Sequence, residues 1–97
     1  MATMKEYGLI FEENIVKVVE VVIVQEFKLV MPTNDMIKEL NRFIKEHNLK
    51  PIAIIPDTAW YGGDFKETKM REATLSEKKE YIFMYKNDDF DRYKVEN

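Results

Sequence analysis

Residues 15–24, IVKVVEVVIV, constrain this chain more than any other stretch. Eight of the ten are Val or Ile. Their branched Cβ atoms lose rotamer freedom against a helical turn but sit well on a pleated strand. Each face of such a strand carries one charge, Lys17 or Glu20, and is otherwise apolar. A strand apolar on both faces belongs inside a sheet that is covered on both sides. The extended pattern runs on to Met31. A straight strand over residues 15–31 would span about 56 Å, far more than a domain of this length accommodates. The spacing therefore predicts a bulge or turn near Gln25 and Glu26.

The neighbouring signals fit a sheet. Residues 5–11 read as a strand joined to 15–24 through Glu12, Glu13 and Asn14, where Asn14 tolerates the left-handed conformation of a short loop. Residues 34–47 read as the one amphipathic helix. Met36, Ile37, Leu40, Phe43 and Ile44 form its apolar stripe, and Asp35 meets the positive end of the dipole. The lone histidine, His47, follows that stripe as a dipole partner or a packing residue at the helix end. Residues 51–56 read as a short buried strand. Residues 80–86 alternate Tyr81, Phe83 and Tyr85 with Ile82 and Met84, which predicts a strand pairing with residues 91–95. The capping box of Thr74 and Glu77 favours a helix over 75–86 instead, and the sequence leaves both open. The expected fold is a single α+β domain over residues 1–97, with a mostly antiparallel sheet and one helix packed across it.

Composition narrows the chemistry. The chain lacks cysteine and has one histidine, which removes disulfides, thiolate catalysis and His- or Cys-rich metal sites. Any metal would be a carboxylate-bound magnesium, manganese or calcium ion. The net charge of −3 opposes direct nucleic-acid binding, which needs clustered cations. No apolar run reads as a signal peptide or a membrane span, so the expected setting is cytoplasmic.

Two readings of residues 54–70, IIPDTAWYGGDFKETKM, compete. Glu67 and Lys69 are two apart and share a strand face. With Asp57 on a facing strand and Gly62-Gly63 as the turn, they would form a site where two carboxylates, Asp57 and Glu67, hold Mg²⁺ and Lys69 orients the attacking water. Pro56-Asp57 followed by Glu67-Thr68-Lys69 resembles the PD-(D/E)XK nuclease superfamily, over residues 34–86. That resemblance implies a Mg²⁺-dependent nuclease with Asp57, Glu67 and Lys69 as its site. The chain departs from the pattern at Ile55 and Lys79, and Gly63-Asp64-Phe65-Lys66 is too polar for a mid-sheet strand.

The leading reading is a small, acidic, non-enzymatic interaction protein. It would need no cofactor and would inhibit or regulate a protein partner that is basic or handles nucleic acid. Immunity proteins, antitoxins and phage-encoded inhibitors share this profile of composition. In this reading Trp60, Tyr61, Gly62, Gly63, Asp64 and Phe65 form the partner-binding segment, since Trp and Tyr lead the residues that anchor interfaces, and an acidic rim steers the partner in. A third reading is self-association, with a homodimer covering apolar sheet surface.

Overall fold

In a computed structural model the chain folds as α+β. The structure describes residues 2–29, 34–56, 60–87 and 92–95, without the side chains of 26–29, 34 and 35. Strand β1 (Thr3–Ile10) reverses through a short 3-10 turn (Glu12–Asn14) into β2 (Val16–Leu29). Glu13 and Asn14 both take positive φ, 64° and 60°, and the Phe11 N–H donates to the Ile15 carbonyl at 2.8 Å. The left-handed position expected at Asn14 is therefore occupied, and Glu13 shares it. Helix α1 (Asn34–Glu46), β3 (Ala53–Pro56), β4 (Trp60–Glu72), α2 (Leu75–Lys86) and β5 (Tyr93–Lys94) follow. The strands form one antiparallel sheet in the order β4-β2-β1-β3-β5.

Strand β2 is the second strand of that order and packs apolar residues on both faces, although Val22 is only partly buried and Val24 is 41% exposed. Val19, Val21 and Ile23 lie under α1 with Tyr7, Leu9, Ile54 and Trp60. From the helix, Met36, Leu40, Phe43 and Ile44 meet them. Each of these side chains contributes about 1.5–3 kcal/mol by leaving water. On the opposite face Val16 and Val18 join Ile10, Ala53, Ile55 and Tyr81 of α2. A straight 14-residue strand would span about 46 Å, longer than the 35 Å greatest extent of the molecule. The register against β4 shifts twice, between Val22 and Ile23 and between Ile23 and Glu26. The bulge expected near Gln25 and Glu26 is thus present.

Four expectations are corrected. Residues 75–86 are helical. Thr74 accepts from the Glu77 N–H at 3.2 Å, and Glu77 accepts from the Thr74 N–H at 2.9 Å, so the capping box outweighs the alternation of Tyr81, Phe83 and Tyr85. The sheet consequently carries two helices, one on each face. Residues 93–94 pair with β3 rather than with residues 80–86. Finally, Gly62 and Gly63 make no turn. They lie inside β4, opposite Phe27 and Glu26. Gly63 has φ +135°, and a Cβ there would stand 1.5 Å from the Gln25 carbonyl oxygen. Close backbone approach at a bulge explains this glycine.

Candidate functional site

Helix α2 covers half of its sheet face, and cross-strand rows show where cover stops. Ile10 pairs with Val16 and Ala53, and Gly8 pairs with Val18 and Ile55. Both rows lie under the helix, where the Tyr81 ring sits directly on Gly8; a Cβ at Gly8 would meet the ring carbons at 2.6 Å. The next row holds Glu6, Glu20 and Lys69, and the outermost holds Met4, Val22 and Glu67. Met4 is 50% exposed, and Glu67 and Lys69 are exposed. The face therefore passes from apolar core to a charged belt to an open apolar pair.

Arg71 organises the belt. It lies in the Gly8–Val18 row and is joined to three carboxylates. Its Nε donates to Glu20 at 3.2 Å, and its Nη1 and Nη2 donate to Glu77 at 2.7 and 2.6 Å. Nη2 also donates to Glu6. Glu6 and Glu20 stand directly opposite each other, an arrangement of like charges that destabilises a sheet unless a cation intervenes. Glu77 is brought to Arg71 by the capping box, which fixes it at the third helical position. Hydrogen bonds from Arg71, and then from the Thr74 N–H, hold the Glu77 carboxyl down at about 2. The same bonds push the Arg71 guanidinium up, led by Glu77. Four carboxylates face two cations here, so the region is acidic.

The predicted nuclease residues divide. Glu67 and Lys69 share one sheet face, as their spacing requires, and neither is in an ion pair among the described residues. Asp57 lies outside the described residues. Pro56, which precedes it, pairs with Tyr7, Tyr7 with Val19, and Val19 with Met70. Strands β3 and β4 are therefore three strand spacings apart, about 14 Å. The hairpin that would set them face to face is not formed, because β1 and β2 stand between them. Among the described residues no group of three or more His, Asp or Glu side chains is placed to hold a metal ion.

The predicted partner-binding segment divides as well. Trp60 is fully buried, stacked on Tyr7 with ring centroids 5.8 Å apart, and its indole Nε1 meets no acceptor among the described residues. Tyr61 is buried, with the Lys5 ammonium 4.3 Å above its ring. Asp64 is exposed and Phe65 half-buried. With Gly63, Lys38 and Glu39 they line a depression of about 410 Å³ between β4 and α1. Burial raises the Glu39 carboxyl, but hydrogen bonds from Arg42 and Thr68 outweigh it and hold the group below the ordinary range. The Thr68 hydroxyl donates to Glu39 at 2.8 Å, tying β4 to α1. His47 stacks on Phe43 at 4.0 Å and lies 3.0 Å from the Phe43 carbonyl through Nδ1, the packing role its position implies.

Sequence reasoning missed Arg71, Glu6 and Glu20. A signal existed: Glu67, Lys69 and Arg71 continue one period-2 face, and the capping box already placed Glu77 five residues after Glu72. No family model, curated protein or solved structure matched the chain. No helix among the described residues is long and apolar enough to cross a membrane.

Proposed function

We propose that this is a non-enzymatic cytoplasmic interaction protein that inhibits or regulates a basic protein partner, in the manner of an immunity protein, an antitoxin or a phage-encoded inhibitor. The observation that carries the reading is the half-covered sheet face. Met4 and Val22 lie side by side beyond the reach of α2, with Glu6, Glu20 and Glu67 around them. An apolar centre with a charged rim is the common anatomy of a protein interface. The excess of carboxylates attracts a basic surface and speeds encounter. Asp64 and Phe65, at the depression beside α1, supply a second contact on the other side of β4. Trp60 and Tyr61 act as the packed support of that segment.

The test is affinity capture from host lysate with wild type, a Met4→Ser/Glu67→Lys variant and an Asp64→Lys/Phe65→Ser variant. The reading expects a partner of high isoelectric point that wild type retains and the first variant loses. Equal recovery by all three proteins would remove both surfaces from the interface.

A further inference from the structure

We propose that the outer face of α2 docks a short acidic segment of another protein. Leu75 and Phe83 on this helix are 70% and 60% exposed, and Lys78, Lys79 and Lys86 are exposed beside them. At about 100° per residue, Leu75, Lys79, Ile82, Phe83 and Lys86 fall on one side of the helix, with Lys78 at its border. Glu77, which reaches Arg71 in the charged belt, points the opposite way. The face is therefore cationic and apolar on a chain whose net charge is −3. Along it, Leu75, Ile82, Lys78 and Lys79 join Glu13 and Asn14 of the turn between β1 and β2 around a depression of about 410 Å³.

Nothing within the helix offsets these charges. Side chains three and four residues apart are neighbours on a helix, and neither Glu77 nor Glu80 stands at such a spacing from Lys78, Lys79 or Lys86. Among the described residues none of the three lysines is in an ion pair. Lys78 also stands at the fourth position after the Thr74 cap, toward the positive end of the dipole, where a cation opposes the helix. An apolar seat at Leu75 and Ile82, flanked by Lys78 on one side and Lys79 on the other, matches a segment that carries carboxylates around an apolar side chain. Glu13 is the one carboxylate of the depression, and the two lysines outweigh it. An anionic bilayer or a nucleic acid presents its charge over an area wider than this face, where the chain's excess of carboxylates repels it. A short peptide meets the local field alone. Because α2 turns this face away from the belt, docking here stands or falls separately from partner binding on the half-covered sheet face.

The experiment is selection of a displayed library of random dodecapeptides against the full chain, followed by fluorescence titration of the leading peptide, with urea unfolding of each variant as a folding control. Peptides rich in Asp and Glu together with Leu, Ile or Phe are the expected result. Lys78→Glu/Lys79→Glu should weaken the leading peptide by about ten-fold or more, and Leu75→Ser by about three-fold or more. Met4→Ser/Glu67→Lys should leave it within about two-fold of wild type, which separates this face from the half-covered sheet. The proposal is overturned by a selection that returns no peptide, by peptides without an acidic bias, or by unchanged affinity in either α2 variant. It is equally overturned if the face instead holds vesicles of phosphatidylcholine and phosphatidylserine, a single-stranded oligonucleotide or a second copy of the chain, each read as binding that wild type shows and Lys78→Glu/Lys79→Glu loses.

Discussion

Arg71→Ala should lower stability in a strongly pH-dependent way. Arg71 is the cation between Glu6, Glu20 and Glu77. Holding the Glu77 carboxyl at about 2 instead of 4.5 corresponds to about 3 kcal/mol if solvent did not intervene. Glu77 retains 23% of its side-chain exposure, and screening, together with the part of the shift that Thr74 supplies and the substitution leaves in place, brings the contribution to about 1–2 kcal/mol. Loss of Arg71 also leaves Glu6 and Glu20 opposed as like charges, a further cost of about 0.2–1 kcal/mol. The expected loss at pH 7 is about 1–3 kcal/mol. The sign of the pH effect follows from a lowered carboxyl. Its stabilisation is complete above about pH 4.5 and disappears as the pH falls toward 2, with more than half gone by pH 3. Urea unfolding of wild type and variant at pH 7 and pH 3, followed by the fluorescence of the single tryptophan, measures both costs. The gap between the two proteins should shrink by about half or more at pH 3. A gap equal at both pH values would show that Arg71 acts through packing of its stem, and the electrostatic account of the belt would be refuted.

Gly63→Ala should cost about 3 kcal/mol or more, because it joins a strained φ to a clash with backbone; an equilibrium unfolding curve within 1 kcal/mol of wild type would contradict the bulge geometry. Trp60→Ala should lose about 3–5 kcal/mol, while Trp60→Phe should lose much less, since it keeps the stack on Tyr7 and removes a buried N–H that has no acceptor among the described residues; chemical denaturation followed by circular dichroism separates the two. Millimolar Mg²⁺ or Mn²⁺ should leave the melting temperature unchanged and a DNA or RNA substrate uncut, because a bound ion would raise Tm by mass action; a rise in Tm lost in Glu67→Ala would restore a metal site at that carboxylate.

What could be read in advance depended on how local each determinant was. Helix α1 was legible because Met36, Leu40, Phe43 and Ile44 declare one stripe within a few turns. Strand β2 was legible because its run of branched residues favours an extended chain packed on both faces, although cover stops short of Val22 and Val24. Helix α2 was harder, since Tyr81 is buried while Leu75 and Phe83 are 70% and 60% exposed. Its apolar residues mark no single side. Its seat is set by Gly8, seventy-three positions earlier, where the missing side chain makes room for the Tyr81 ring. The role of Gly62-Gly63 was hidden for the same reason. Two adjacent glycines read as a turn, and only the Gln25 carbonyl, supplied by another strand, shows that the requirement is for space. At the candidate site the shared face of Glu67 and Lys69 followed from strand periodicity. The separation of β3 from β4 did not, because strand order is decided by pairings between distant segments.

The seat of Tyr81 on Gly8 also sets how the molecule breathes. Among the described side chains, α2 buries Tyr81 fully and packs Ile82, Met84 and Tyr85 partly, against four fully buried from α1. The cap at Thr74 and the bonds from Arg71 to Glu77 fasten its first turn, while its later turns rest on the Tyr81 ring, on partly buried Ile82, Met84 and Tyr85, and on the bond from Arg92 to the Tyr85 carbonyl. Opening of α2 exposes less apolar surface than global unfolding and costs less. Amide hydrogens of residues 82–86 should exchange well before those of β1 and β2, releasing from the helix's far end while the first turn stays tethered. Lifting that end would bare Val18, Ile55 and Ile10, so the sheet area open beyond α2 is the smallest the molecule offers rather than a constant.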